Sequence, residues 1–165
     1  MKALIQRVQT ASVLIKKYQD KPLALPSPTR GEGRSESVKI EIGHGLVVFL
    51  GVGINDTPEK TKKLAEKVAT LRIFSNEEGK FDKSILDVQG ECLVVSQFTL
   101  YGNTSKGRRP DFTRAAAPQT ALPLYKYFLQ ELRFQGVKTV EEGEFQAHME
   151  VTLTNDGPVT ILLEA

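Results

Sequence analysis

The sequence predicts an α+β fold: a mainly antiparallel sheet or barrel carrying two principal helices, within a single domain. Three observations lead there. Roughly six or seven short runs are rich in β-branched and apolar residues, two longer runs repeat their apolar residues at helical spacing, and the two kinds do not follow a regular βαβ alternation. A chain of 165 residues, 40% hydrophobic and 25% charged, can bury one core and is short for two.

The elements follow in order. Ala3 to Ile15 mixes apolar and polar residues in short alternations, which predicts two strands joined by a bend near Gln9 to Ala11. Tyr18 to Ser37 holds Pro22, Pro26 and Pro28, then Gly31 and Gly33, and too few apolar residues to offset its ordering entropy, so it reads as a long mobile surface loop. Val38 to Ile42 alternates, Gly43-His44-Gly45 makes a turn, and Leu46 to Val52 is an apolar run suited to a strand covered on both faces; together these predict a hairpin. Thr57-Pro58-Glu59 reads as an N-cap, a first-turn proline and an acid matched to the helix dipole, followed by Leu64, Val68 and Leu71 on one face of a core-packed helix.

Ser75 to Gly90 is polar and irregular, and Cys92 to Leu100 reads as a strand. Ala121, Leu122, Tyr125, Leu129 and Leu132 mark a second amphipathic helix. Pro123 lacks an amide donor, so that helix is expected to begin at or near it, after an irregular turn following Pro118. Phe145 to Thr154 then alternates as a strand with Phe145, Ala147, Met149, Val151 and Leu153 on one face, and Val159 to Leu163 forms a last strand.

Composition removes several chemistries. The single cysteine, Cys92, excludes an internal disulfide and any multi-cysteine metal site, while His44 and His148 belong to no metal-binding spacing. No apolar run approaches the ~20 residues of a membrane span, and the N-terminus lacks a signal peptide's pattern, so a reducing cytosol is the expected compartment. The net charge of +2 gives no global sign of nucleic-acid binding.

Three places could carry chemistry, each beside a plainer reading. Ser96-Gln97-Phe98-Thr99-Leu100 puts polar groups at a strand end, where they either meet a ligand or make structural hydrogen bonds; on a strand, Gln97 and Thr99 would share one face and Ser96, Phe98 and Leu100 the other. Asn155-Asp156-Gly157-Pro158-Val159-Thr160 is ordinary hairpin material except for its Gly-Pro step, which a cis bond would turn into a pair of similarly directed carbonyls. Gly102 to Arg114 carries Lys106, Arg108, Arg109 and Arg114 against Asp111, so this loop is +3 and the rest of the chain −1; it is either a solvated loop or a phosphate-binding one. No base is evident for a serine-hydrolase arrangement. Next to Met149 on a strand, His148 would point away from any pocket that Met149 lines, and His44 lies in a turn between glycines.

The stretches MKALIQRVQTASV at the start, GLVVFLGV from Gly45, RIFS from Arg72, VVSQFTL from Val94 and NDGPVT from Asn155 resemble, in order and spacing, the D-aminoacyl-tRNA deacylases. The resemblance covers nearly the whole chain outside 18–37, which then reads as an insertion in a single deacylase domain over 1–165. It implies a cytoplasmic homodimeric hydrolase, without cofactor, metal, membrane attachment or obligatory partner protein. Such an enzyme cleaves the ester joining a D-amino acid, or glycine mischarged on tRNA-Ala, to the terminal adenosine of tRNA and spares L-aminoacyl-tRNA.

Carried over by position, Ser96, Gln97, Phe98 and Thr99 would line the reaction centre, and Gly157 and Pro158 would form a cis Gly-Pro element that the partner subunit inserts there. Phe145, Met149 and Ala121 would build the adenosine pocket, and Arg7 would steady the Gly-Pro element. Backbone carbonyls would take the substrate's α-ammonium and leave no room for an L side chain. The attacking water would be activated with help from the substrate's own 2′-hydroxyl, with amides near Phe98 and Thr99 polarising the ester. An older reading makes the Thr99 hydroxyl the nucleophile, and a rival of another class is a non-catalytic nucleic-acid-binding module using loop 102–114.

Overall fold

The computed structural model of the chain describes residues 1–16 and 37–165. The expected insertion lies outside the described residues except for Ser37, which opens a strand. The α+β class stands, with a mixed sheet. Strand β1 (Lys2–Lys16) is its spine. On one edge β1 pairs antiparallel first with β3 (Gly45–Gly51) and then with β2 (Ser37–Ile42); on the other it pairs antiparallel with β8 (Met149–Glu164). Beyond β3 lie β6 (Glu91–Ser96) and β7 (Val140–Glu142), both in parallel pairing.

Four expectations about reversals are corrected by this topology. Ala3 to Ile15 forms one strand, whose expected bend is an irregularity near Gln9 in its register with β8. β2 and β3 do not form a hairpin: both run antiparallel to β1, with Ile42 opposite Ala11 and Gly45 opposite Val8, so Gly43-His44 is a step between collinear strands. Asn155 to Thr160 is not a hairpin turn either. β8 continues in one direction through it, and Asp156 to Val159 bulge out opposite the single residue Arg7. The strand expected from Phe145 begins only at Met149, after a turn in which Gln146 has φ 64°.

The two helices supply the crossovers that parallel pairing requires. Helix α1 (Pro58–Thr70) lies between β3 and β6, with the Thr57 side chain accepting from the Lys60 amide as expected of the cap. The expected loop after α1 contains a small hairpin of β4 (Phe74–Ser75) and β5 (Phe81–Lys83). Helix α2 (Pro118–Phe134), between β6 and β7, starts at Pro118 and runs through Pro123. Pro123 leaves the carbonyl of Gln119 without its helical donor, but Gln119 is exposed and water can serve it, while Ala121, Leu124 and Tyr125 gain burial on either side. Leu122, expected on the buried face, is 38% exposed.

Burial on both faces of β3 and β6 sets where the core lies. Leu46, Val48, Leu50 and Val94 face the helices and pack with Leu64, Val68, Phe128, Leu129 and Leu132. Val47, Leu93 and Val95 face the other way, onto Val8, Val13 and Ile42, with Met149, Val151 and Leu153 against them. The end of β6 and the start of β8 thus border the same side of the structure.

Candidate active site

β6 stops at Ser96. The Gln97 amide donates to the Leu50 carbonyl at 2.8 Å, and the chain then winds into a 3₁₀ turn, Phe98–Tyr101, closed by the Gly102 amide on the Thr99 carbonyl at 2.9 Å. The expected strand to Leu100 is therefore shorter, because β3 ends at Gly51 and offers no further ladder. Strand alternation ceases with it. Ser96, Gln97 and Phe98 all line one cavity, and the Gln97 side-chain amide hydrogen-bonds the Thr99 hydroxyl. The amides of Phe98 and Thr99 open the turn, where first-turn donors have no partner within the turn itself.

The cavity measures about 660 Å³, the size of a small-molecule site. Of the residues picked out from sequence, Ser96, Gln97, Phe98, Ala121, Phe145 and Met149 line it; Thr99 sits one position beyond its wall. Tyr125 adds a wall, its ring 5.8 Å from that of Phe145 and its hydroxyl donating to the Val94 carbonyl at 2.9 Å. Burial above all, with the Glu142 carboxylate adding to it, pushes that phenol well above its ordinary range, so Tyr125 is a neutral shape-giving group rather than a base. Burial likewise pushes the Cys92 thiol up to about 12, which removes it as a nucleophile near neutrality.

His148 borders the cavity and is exposed, between half-buried Ala147 and Met149. It lies just before β8, where its carbonyl accepts from the Lys16 amide at 3.1 Å. His44 is exposed, as expected, with its ring edge 5.2 Å from Phe74. Among the lining residues not expected from sequence, Phe112 and Tyr125 contribute aromatic rings. Tyr125 read only as helix core, and Phe112 lies in a loop with no apolar period.

Arg7, Gly157 and Pro158 are not in this cavity. Arg7 is 7% exposed; its Nε donates to the Asp156 carbonyl at 3.1 Å and lies 3.0 Å from the Asp156 carboxylate, and its Nη1 donates to the Ile73 carbonyl at 2.6 Å. Asn155 closes the bulge by accepting from the Val159 amide at 2.8 Å. At the tip Gly157 and Pro158 are exposed and joined by a cis bond. Gly157 has φ +123°, and a Cβ there would lie 2.9 Å from an Arg7 guanidinium nitrogen, so no other residue fits without displacement. A charged base thus holds an exposed backbone tip.

Lys106, Arg108 and Arg109 are exposed and take part in no ion pair among the described residues. Arg114 separates from them, lining a smaller cavity of about 240 Å³ with Asp56, Tyr101 and Glu164.

A cavity of small-molecule size, walled at one end by a turn whose first amides have no partner within the turn, suits an enzyme that acts on a carbonyl group. Residues 4–164 match the family model described as D-Tyr-tRNA(Tyr) deacylase. A D-aminoacyl-tRNA deacylase of Roseiflexus castenholzii is 49% identical over 165 residues, covering 100% of this chain and 92% of that protein. One of Thermotoga petrophila is 47% identical, covering 100% and 97%. Among solved structures, the c-Myc DNA unwinding element binding protein superposes with a TM-score of 0.83 at 38% identity, covering 100% of this chain and 99% of that one. The chain belongs to the D-aminoacyl-tRNA deacylase family, and its activity is that of a carboxylic ester hydrolase acting on D-aminoacyl-tRNA.

Proposed function

We propose that the enzyme proofreads chirality in translation, in the cytoplasm and as a homodimer, with each site composed of one chain's cavity and the other chain's Gly157-Pro158 tip. The observation that carries this is the separation of the two motifs: the tip is exposed, is anchored by Arg7 and lines no part of its own chain's cavity. In this reading the terminal adenosine enters among Ala121, Phe145 and Met149. The ester then lies beside Ser96, Gln97, Phe98 and Thr99, where the amides of Phe98 and Thr99 stabilise the oxyanion as it forms. The partner's bulge carbonyls take the α-ammonium and exclude an L side chain by backbone sterics. Such a filter ignores the identity of the D side chain, and it admits glycine on tRNA-Ala because glycine has nothing to exclude.

The substrate's 2′-hydroxyl assists the attacking water. The Thr99 hydroxyl accepts from the Gln97 amide, a group that cannot take its proton, which disfavours Thr99 as nucleophile. The phosphates of the tRNA run past Lys106, Arg108 and Arg109; Arg114, lining the other cavity, has a lesser part. Comparing hydrolysis of D-tyrosyl-tRNA and L-tyrosyl-tRNA tests the reading: D faster by about tenfold or more is expected, one factor of ten being ~1.4 kcal/mol of discrimination, and equal rates would refute it. Full activity on a tRNA ending in 2′-deoxyadenosine would refute substrate assistance. A second reading, nucleic-acid binding without catalysis, draws on the basic loop and on the DNA-binding title of the 38% identical structure; it requires that neither ester be hydrolysed.

A further inference from the structure

The loop after the 3₁₀ turn is built as a closed unit. The Asn103 amide donates to the Asp111 carbonyl at 2.8 Å and the Asp111 amide to the Asn103 carbonyl at 2.9 Å, which pins its neck. The loop's one acid is engaged there, the Asp111 carboxylate accepting from the Thr113 amide at 2.9 Å and the Thr113 hydroxyl at 3.0 Å. From Thr104 to Pro110 the tip therefore presents Lys106, Arg108 and Arg109 with no opposing acid. One residue past the neck, Phe112 packs so closely on Gly102 that a Cβ there would come within 3.1 Å of its ring.

Phe112 in turn meets Phe98 edge to face, ring centres 5.0 Å apart at 70°. Both rings border the cavity, yet Phe98 remains 56% exposed. An aromatic ring held in a fixed attitude and left uncovered by the described residues of its own chain, beside three cations that make no ion pair among the described residues, has the two ingredients of single-strand nucleic-acid binding: a π-face for a base and positive charge for the backbone. A duplex cannot use such a ring, because its bases are already stacked.

We propose that Phe98, braced by Phe112 and flanked by the 103–111 loop, is a stacking platform for the unpaired nucleotide that precedes the terminal adenosine. This rests on the deacylase reading for the identity of the RNA, and it adds a subsite at the rim of the cavity, beyond the residues placed around the adenosine. The platform makes the enzyme read its substrate as a single-stranded RNA end, and the loop cations hold the adjoining phosphates.

The test measures binding of 5′-labelled acceptor-stem hairpins carrying either the full single-stranded 3′ tail or the same tail with an abasic residue in place of the nucleotide before the last. Wild-type enzyme is expected to bind the full tail roughly tenfold more tightly, as one stacked base provides. Phe98→Leu should remove that difference and Phe98→Tyr should keep it. Replacing Lys106, Arg108 and Arg109 together by Ala should reduce the log–log salt slope by roughly 2, three single-strand contacts' worth. The same triple variant should lower kcat/KM for D-aminoacyl-tRNA more than for D-aminoacyl-adenosine. Equal wild-type binding of the two tails overturns the platform, as does a proportional loss on both esters, which would mean that the loop merely shapes the cavity. If the wild type distinguishes the tails but hydrolyses neither ester, the platform stands and the deacylase reading falls.

Discussion

The Ser96–Tyr101 turn and the Asn155–Val159 bulge are made in opposite ways. The turn is framed by its own chain: Gln97 is tied to Leu50, Thr99 to Gln97 and Gly102, and the side chains of Ser96, Gln97 and Phe98 wall a cavity. Among the described residues the bulge is secured at its base, where buried Arg7 and half-buried Asn155 hold Asp156 and Val159, and its Gly157-Pro158 tip is exposed. One region is a wall and the other a projection whose tip, among the described residues, meets nothing of its own chain beyond its base. An anchored projection without a local partner is the structural expectation of a part that acts on a second copy.

Perturbing the two regions should therefore give distinguishable failures. Ala121→Phe fills the cavity where the nucleoside is placed and should cost about a hundredfold or more in kcat/KM, ~3 kcal/mol, on D-tyrosyl-tRNA with the dimer intact by sedimentation. Gly157→Ala forces a Cβ onto a φ of +123° and against Arg7, which costs of order 1–3 kcal/mol locally, and should lower D-substrate turnover roughly tenfold while narrowing the D over L ratio. Arg7→Lys keeps the charge but loses the planar fork that reaches both Asp156 and Ile73; a fall of ~1–3 kcal/mol in denaturant stability is expected, together with a narrower D over L ratio. Thr99→Ala should be mildest, within about threefold of wild type in kcat, since it removes one exposed hydrogen bond worth ~1 kcal/mol or less and no nucleophile.

The same contrast explains what could be read from sequence. The wall was legible because its parts are local: Thr57 caps α1, Leu64 and Val68 face the core, and the apolar runs of β3 and β6 announce burial on both faces. Six of the cavity residues, Ser96, Gln97, Phe98, Ala121, Phe145 and Met149, followed from the family resemblance. What failed was the meaning of glycine and asparagine at chain irregularities. Gly43-His44 and Asn155-Asp156-Gly157 mark departures from regular strand, but whether the chain reverses or carries on is decided by β1, which lies far away in sequence. The packing around Ala121 and Tyr125 likewise overrode the helix-breaking tendency of Pro123.

The central claim is that a site needs one region from each of two chains, and subunit mixing tests it most directly. Ala121→Phe lacks a usable cavity but keeps its bulge, and a Gly157→Val variant keeps its cavity but not its tip. After dissociation and random reassociation of equal amounts, half of the dimers are mixed and each has one intact composite site. Activity on D-tyrosyl-tRNA should then return to about a quarter of the wild-type value from two nearly inactive parents. Mixing that restores no activity, with mixed dimers verified by mass, would contradict the account and place the whole site within a single chain.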